Sequence, residues 1–188
     1  MSFTPTTKTG EVLQEAMKAA TSAGNPDIRP GHILVALLEQ KEGIAAPLLE
    51  AAGVNPSGVL TRAKELVAGY PSASGANMAN PQFNRDAVNA LNAAEELAGE
   101  LGDEYVSTEI LLIGVATGQS EAATVLQSAG ATAEALKGAL TSVRGSRKVT
   151  TENPEEQYQA LEKYATDLTA RAREGKIDPV IGLSLIHI

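Results

Sequence analysis

The sequence predicts an all-α fold: two pseudo-symmetric four-helix repeats followed by one further helix. Three observations carry this. First, the chain contains itself twice. Ile28–Leu38 has a partner in Val106–Ala116, and Leu48–Val54 has one in Val125–Ala131; Ile28 and Val106 stand 78 positions apart, and Gly53 and Gly130 stand 77 apart. A repeat fixes architecture before any other reading, and a unit this long that occurs only twice points to two copies of a small bundle packed as one domain. Second, apolar residues recur at three and four positions, the spacing of one helix face, and no segment alternates with period two, so no sheet is expected. Third, apolar residues make up 43% of the 188 positions but aromatics only 3%, with no Trp. The core is therefore Ala, Leu, Val and Ile, which suits closely packed helices.

The elements follow in order. Val12, Leu13, Ala16, Ala19 and Ala20 line one face of a first helix, and Gly24 stands where a left-handed helix end is wanted. Pro30 suits the first turn of a second helix reaching Gln40. A third spans Ile44–Ala52, ended by Gly53, and Asn55-Pro56 reads as cap and first turn of a fourth. Gly69–Pro81 is rich in turn formers and aperiodic, a linker. The second series reads as Arg85–Leu101, Ser107–Thr117, Glu121–Ser128 and Ala133–Val143, with Ser107 and Thr132 as caps. Arg144–Pro154 reads as a solvated linker despite its small basic cluster, and a last helix spans Glu155–Glu174 with Leu161, Tyr164, Ala165 and Leu168 on one face. The resulting division is 1–68 and 84–143 for the repeats, 69–83 and 144–154 for linkers, 155–182 for a new module and 183–188 for a tail.

Charge and composition narrow the function classes. Fifteen Lys and Arg against 23 Asp and Glu give a net charge of −8. That argues against nucleic acid, whose phosphates need clustered cations, and against an anionic membrane surface. The absence of Cys excludes disulfides, thiolate metal sites and cysteine nucleophiles. The N-terminus has no basic region leading into an apolar run, and nothing reaches the ~18 apolar residues of a span, so a cytoplasmic protein is expected.

Motifs for chemistry are sparse. No G-x-x-x-x-G-K-[ST] string occurs. His32, between Pro30 and Ile33, reads as a packed, hydrogen-bonded histidine, since no second His or Cys lies at ligand spacing. Asp103, Glu104 and Glu109 form an acidic cluster with three readings: acid–base work, a negative charge favoured at a helix N-terminus by about 0.3–1 kcal/mol, or the rim of a binding groove. Composition alone does not separate them.

The repeat itself resembles the Clp N-terminal domain family, in which each half carries a pattern like [IV]-[TS]-[PT]-x-H-[IL]-L-x-A-L-L, followed by L-L-x-x-x-G. The first half matches with His32; the second has Ile110 at the histidine position, a departure that supports a packing role there. The string Tyr158–Gly182 is similar to the beginning of the first AAA+ module of ClpB-type disaggregases. The last six residues, Leu183–Ile188, leave that pattern, and a truncated fragment with a foreign tail is expected.

The resemblance implies a substrate-recruiting domain of an ATP-dependent disaggregase, with unfolded or aggregated polypeptides as partners. The alternative is an adaptor-binding domain of a ClpC-type unfoldase that feeds a protease. No cofactor and no metal are expected in this chain; ATP and Mg²⁺ are implied for the full-length protein, as are ATPase modules in a hexamer and a DnaK-type chaperone system. This chain by itself is expected to be monomeric and not an enzyme. By position the resemblance implies substrate-binding roles for Thr6, Leu91, Leu97, Asp103, Glu109 and Ile110. Leu13 joins them from helix periodicity alone, and Ala93 stands where relatives often carry a larger residue, implying a shallower groove. Leu13, Leu91 and Leu97 also read as core. A groove position predicts that Leu97→Ala keeps most of the thermal stability, whereas a core Leu→Ala costs about 2–5 kcal/mol.

Overall fold

The computed structural model describes residues 3–73 and 80–158. Eight helices follow one another: α1 (Thr7–Ser22), α2 (Pro30–Glu39), α3 (Ala45–Ala51), α4 (Pro56–Ala68), α5 (Arg85–Glu100), α6 (Thr108–Ala116), α7 (Glu121–Ser128) and α8 (Ala133–Arg144). A further helical turn covers residues 154–158. The expected last helix otherwise lies outside the described residues, as does the 183–188 tail.

Local chemistry explains the boundaries. Thr6, Asn55, Asn84, Ser120 and Thr132 each cap a helix, their side-chain oxygens accepting from backbone N–H groups of the first turn. Pro30 and Pro56 open α2 and α4. Gly53 and Gly130 close α3 and α7 with φ of 79° and 95°, a region other residues enter only at a cost. Ser107 departs from expectation: it holds the N-cap position of α6, but its hydroxyl makes no capping bond.

α6 is buried over its whole length, from Thr108 to Ala116, because its apolar residues run all the way round. α5 packs against α6, and α1 against α2. Gly114 permits the first of these: a Cβ there would come within 2.5 Å of the Ala90 carbonyl oxygen. The repeats also interlock. α3 of the first packs on α8 of the second, and α7 of the second packs on α4 of the first. One apolar cluster, from Val12 to Leu140, runs through both.

The expectation of no sheet is corrected on a small scale. Asp27–Ile28 (β1) pairs in parallel with Gln82–Phe83 (β2), and Pro5 bridges Val106. These pairings are exchanged between repeats, since each joins the residues before one repeat's first helix to the residues before the other's second helix. Two-residue strands are too short to show alternation, so their sequence carries no signal.

Candidate functional site

The entrance to α1, the turn before α6, the end of α8 and the chain after α8 meet at one place. Val106 N donates to the Thr4 carbonyl at 2.8 Å, and Thr6 N donates to the Val106 carbonyl at 3.1 Å, which lays the start of α1 beside the start of α6. The segment after α8 then folds back as a strap. Glu104 N donates to the Val149 carbonyl at 2.8 Å, and Thr7 N to the Glu152 carbonyl at 2.8 Å. Val149, Pro154, Glu155 and Tyr158 are buried beneath or within this strap. The reading of 144–154 as a solvated linker is therefore corrected at Arg144, Val149 and Pro154, which are buried.

Under the strap lies a polar cluster. Thr6 Oγ1 donates to Glu155 Oε1 at 2.6 Å, and Thr108 N, at the first turn of α6, donates to the same oxygen at 3.2 Å. A hydroxyl has one hydrogen, so in the 3.1 Å contact between Thr6 and Thr9 the Thr9 hydroxyl is the donor. Thr6 Oγ1 also accepts from Thr9 N at 3.2 Å. The Glu155 carboxylate is thus held by a charge-assisted hydroxyl bond and by the positive end of a helix.

Beside it, Arg144 Nη1 donates to Asp103 Oδ2 at 2.9 Å, and Val149 N donates to Asp103 Oδ1 at 2.9 Å. Arg144 Nε lies 3.9 Å from Glu109 Oε1, and both Arg144 and Glu109 side chains are almost wholly enclosed. Burial pushes the Glu109 carboxyl up to about 7, against the opposing charge of Arg144. Burial also raises Glu155 above the usual carboxylate range, opposed by the Thr6 hydrogen bond. Tyr158 is raised by burial and by the nearby Glu109 charge.

The seven expected site residues separate into three groups. Thr6, Asp103 and Glu109 come together in this cluster, with their side chains enclosed rather than rimming an open groove, because the strap covers them. Leu97 and Ile110 belong to the apolar core, at 7% and 0% exposure, on the α5–α6 contact. Leu13 and Leu91 are partly buried against that core. They are equivalent positions of α1 and α5, helices whose main neighbours are α2 and α6 respectively. Shallow clefts lie elsewhere, one of about 400 Å³ lined by Met17, Lys18, Thr21, Ser22, Asn80 and Pro81.

Arg144, Thr9, Thr108, Glu155 and Tyr158 are cluster members that sequence reasoning missed. Arg144 was read with its basic neighbours as solvated, although its place at the last turn of α8, before Gly145, distinguishes it from them. The cluster offers no open acid–base pair: both Asp103 oxygens are engaged and Glu109 is shut in. Among the described residues no group of three or more His, Cys, Asp or Glu is placed to hold a metal ion. Within them no helix is long and apolar enough to cross a membrane. His32 is packed as expected, its Nδ1 accepting from Arg29 N at 2.9 Å. Its Nε2 therefore carries the hydrogen and donates to Asn25 Oδ1 at 2.8 Å.

Comparison with known proteins agrees with this architecture. The Clp repeat (R) N-terminal domain family matches residues 4–129. The chain is 67% identical over 181 residues to the chaperone protein ClpB of Corynebacterium glutamicum and 55% identical over 181 residues to that of Mycobacterium tuberculosis, covering 96% of this chain in both cases. It spans 21% of the length of these relatives, their N-terminal region. The fold is also that of the Hsp104 N-terminal domain of Candida albicans, with a TM-score of 0.70 at 17% identity, covering 81% of this chain and 99% of that one. The N-domain of ClpV from Vibrio cholerae aligns with a TM-score of 0.60 at 19% identity, covering 74% and 84%. A doubled four-helix unit with exchanged pairings, and a family match across both of its halves, place this chain in the Clp repeat N-terminal domain family.

Proposed function

We propose that this chain recruits substrates for a ClpB-type disaggregase, binding exposed apolar segments of unfolded or aggregated polypeptides and passing them to ATPase modules of the full-length protein. The observation that carries this is the 67% identity to the N-terminal region of a chaperone named ClpB, sustained over 181 residues. A related fold has been seen as a complex of a ClpV N-domain with a VipB peptide, at a TM-score of 0.58, which supports peptide capture as something this architecture can do. The face that bears Thr6, Asp103 and Glu109 is the proposed binding region, with Leu13 and Leu91 as partly buried apolar positions, while Leu97 and Ile110 belong to the core. Binding there would combine backbone hydrogen bonds with burial of an aliphatic side chain. In the full-length protein we further infer a hexamer driven by ATP and Mg²⁺, cooperation with a DnaK-type chaperone system and a cytoplasmic location.

The test is an NMR titration of the 188-residue chain with a permanently unfolded polypeptide. Shifts concentrated at Thr6, Leu91, Leu97, Asp103, Glu109 and Ile110 are expected. A folded chain that shows no shifts at millimolar polypeptide would remove substrate capture and leave an adaptor platform, the role of a ClpC-type domain.

A further inference from the structure

The strap shows what the proposed binding face accepts, because it is already seated there. It presents an extended backbone that pairs through the Val149 and Glu152 carbonyls and through Val149 N. It buries one aliphatic side chain, Val149, at 0% exposure, one carboxylate, Glu155, at 0%, and one aromatic ring, Tyr158, at 3%. The seat of Glu155 is a built site: Thr6 Oγ1 and Thr108 N converge on one oxygen. The enclosed Glu109 carboxylate beside it has no hydrogen bond of good geometry.

We infer that residues 149–158 are a cis occupant of the substrate face, and that a polypeptide binds there by displacing them. The competing segment would be extended and carry the same features: an aliphatic residue, a carboxylate six positions on and an aromatic three further on. This rests on the substrate-capture reading above and adds its regulation and its preferred sequence. The strap is suited to leave. Its docking seals Glu109 and Glu155 away from water, and the Glu155 charge adds to the cost of ionising Glu109. Its backbone anchors are few: two lie on the turn between α5 and α6, at Asp103 and Glu104, and one at the first residue of α1, Thr7. The whole chain between α8 and the 154–158 turn can lift without breaking any helix.

Two variants test this in opposite directions, in the full 188-residue chain. Glu155→Ala removes the carboxylate from its seat. Hydrogen exchange at Thr7 N and Val149 N should rise, and affinity for an unfolded polypeptide should increase about tenfold, the scale of one hydrogen bond to a charged group. The double variant Thr7→Cys/Glu152→Cys, in a chain with no other cysteine, pins the strap when oxidised. Affinity should then fall at least about tenfold and return on reduction.

A strap that is released or pinned while affinity stays unchanged overturns the inference and leaves substrate capture standing. No binding by wild type, released or reduced protein overturns both. A peptide of residues 148–158 should compete with the unfolded polypeptide for the Glu155→Ala chain, and its failure to do so would overturn the sequence preference.

Discussion

The two repeats solve one structural problem with different chemistry. In each, the chain after the fourth helix folds back onto the turn that follows the first helix. In the first repeat, Ala73 N donates to the Gly24 carbonyl at 2.9 Å and Asn25 Nδ2 to the Pro71 carbonyl at 2.9 Å. In the second, Glu104 N donates to the Val149 carbonyl and Asp103 accepts from Val149 N. Asn25 and Asp103 are equivalent positions, and so are His32 and Ile110. The first network is closed and its charges are paired: Asn25 holds His32, His32 holds Arg29 N, and the Arg29 guanidinium donates to Asp27 Oδ1 at 2.9 Å and lies 4.8 Å from the Tyr70 ring centre. The second is charged and incomplete, with Arg144 between Asp103 and Glu109 and with Arg144 Nη2 and both Glu109 oxygens lacking well-formed bonds. A fully satisfied polar network rigidifies, whereas a partly satisfied buried charge network sits close to balance. On the inference drawn above, the second fold-back is the one that opens.

The sharpest way to break this comparison is Arg144→Ala. It leaves Asp103 and Glu109 buried without their countercharge, a loss of about 3–5 kcal/mol. Calorimetric melting should show it as a large fall in Tm. A fall under about 1 kcal/mol would mean the second network is not held by its charges.

Glu109 gives the next effect, and it depends on pH. Its folded-state carboxyl, at about 7, lies above the ordinary 4.5, so the folded protein binds its proton more tightly than the unfolded one. Its contribution to stability is full below about pH 4.5 and is lost as pH rises through about 7. The groups facing it are Arg144, the Ser107 hydroxyl, Glu155 and Tyr158. Glu109→Gln cannot titrate, so the stability of the variant relative to wild type should climb across that window, by an amount on the order of 3 kcal/mol. Parallel melting curves from pH 4.5 to 8 would show that Glu109 is not buried as an ionisable group. The first repeat has a slope of the opposite sign: burial holds His32 below its ordinary 6.5, so its contribution is present above about pH 6.5 and is lost as pH falls.

How much of this the sequence showed depends on the range over which each feature is encoded. Helices were legible because caps and glycines sit within a few residues of the ends they set; Asn55, Thr132, Gly24 and Gly53 were read correctly, and the boundaries read for α2–α3 and α5–α8 moved by at most one residue. Thr6, Asp103 and Glu109 were singled out and do meet. Their partners Arg144 and Glu155 were not, because a buried ion pair formed between α8 and a turn 41 residues earlier leaves no periodic trace. The strap failed for a related reason. It docks as extended chain through backbone bonds, and such contacts are blind to side-chain pattern. Leu97 was the ambiguous case; at 7% exposure Leu97→Ala is now expected to lower Tm as a core truncation, by about 2–5 kcal/mol.

A milder pair of changes tests the first network. His32→Ile copies the residue found at Ile110. It strands Asn25 Oδ1 and Arg29 N, which should cost about 1–3 kcal/mol. Tm should fall most at neutral pH, and the loss of stability that His32 causes below about pH 6.5 should disappear while the slope from Glu109 remains. A neutral result would mean that the histidine network is no firmer than the charged one, and the contrast between repeats would rest on Arg144 alone.

The smallest effect separates the repeats through their helix spacing. Gly114 in α6 and Ala36 in α2 are equivalent positions, and only the glycine allows its helix to close onto the neighbour; a Cβ there would meet the Ala90 carbonyl oxygen at 2.5 Å and Ala94 Cβ at 2.8 Å. Both atoms belong to the packed α5 surface and cannot swing aside, so Gly114→Ala should cost about 1–3 kcal/mol by overpacking, in spite of alanine's better helix propensity. Ala36→Gly in the other repeat should cost only about 1 kcal/mol, the propensity difference itself. The signs differ from what composition suggests. Adding a methyl where α6 sits on α5 should destabilise at least as much as removing one where α2 sits on α1. Equal stabilisation and destabilisation of the two variants, as propensity alone dictates, would show that α5 and α6 are no closer than α1 and α2, and that the repeats differ only in their polar wiring.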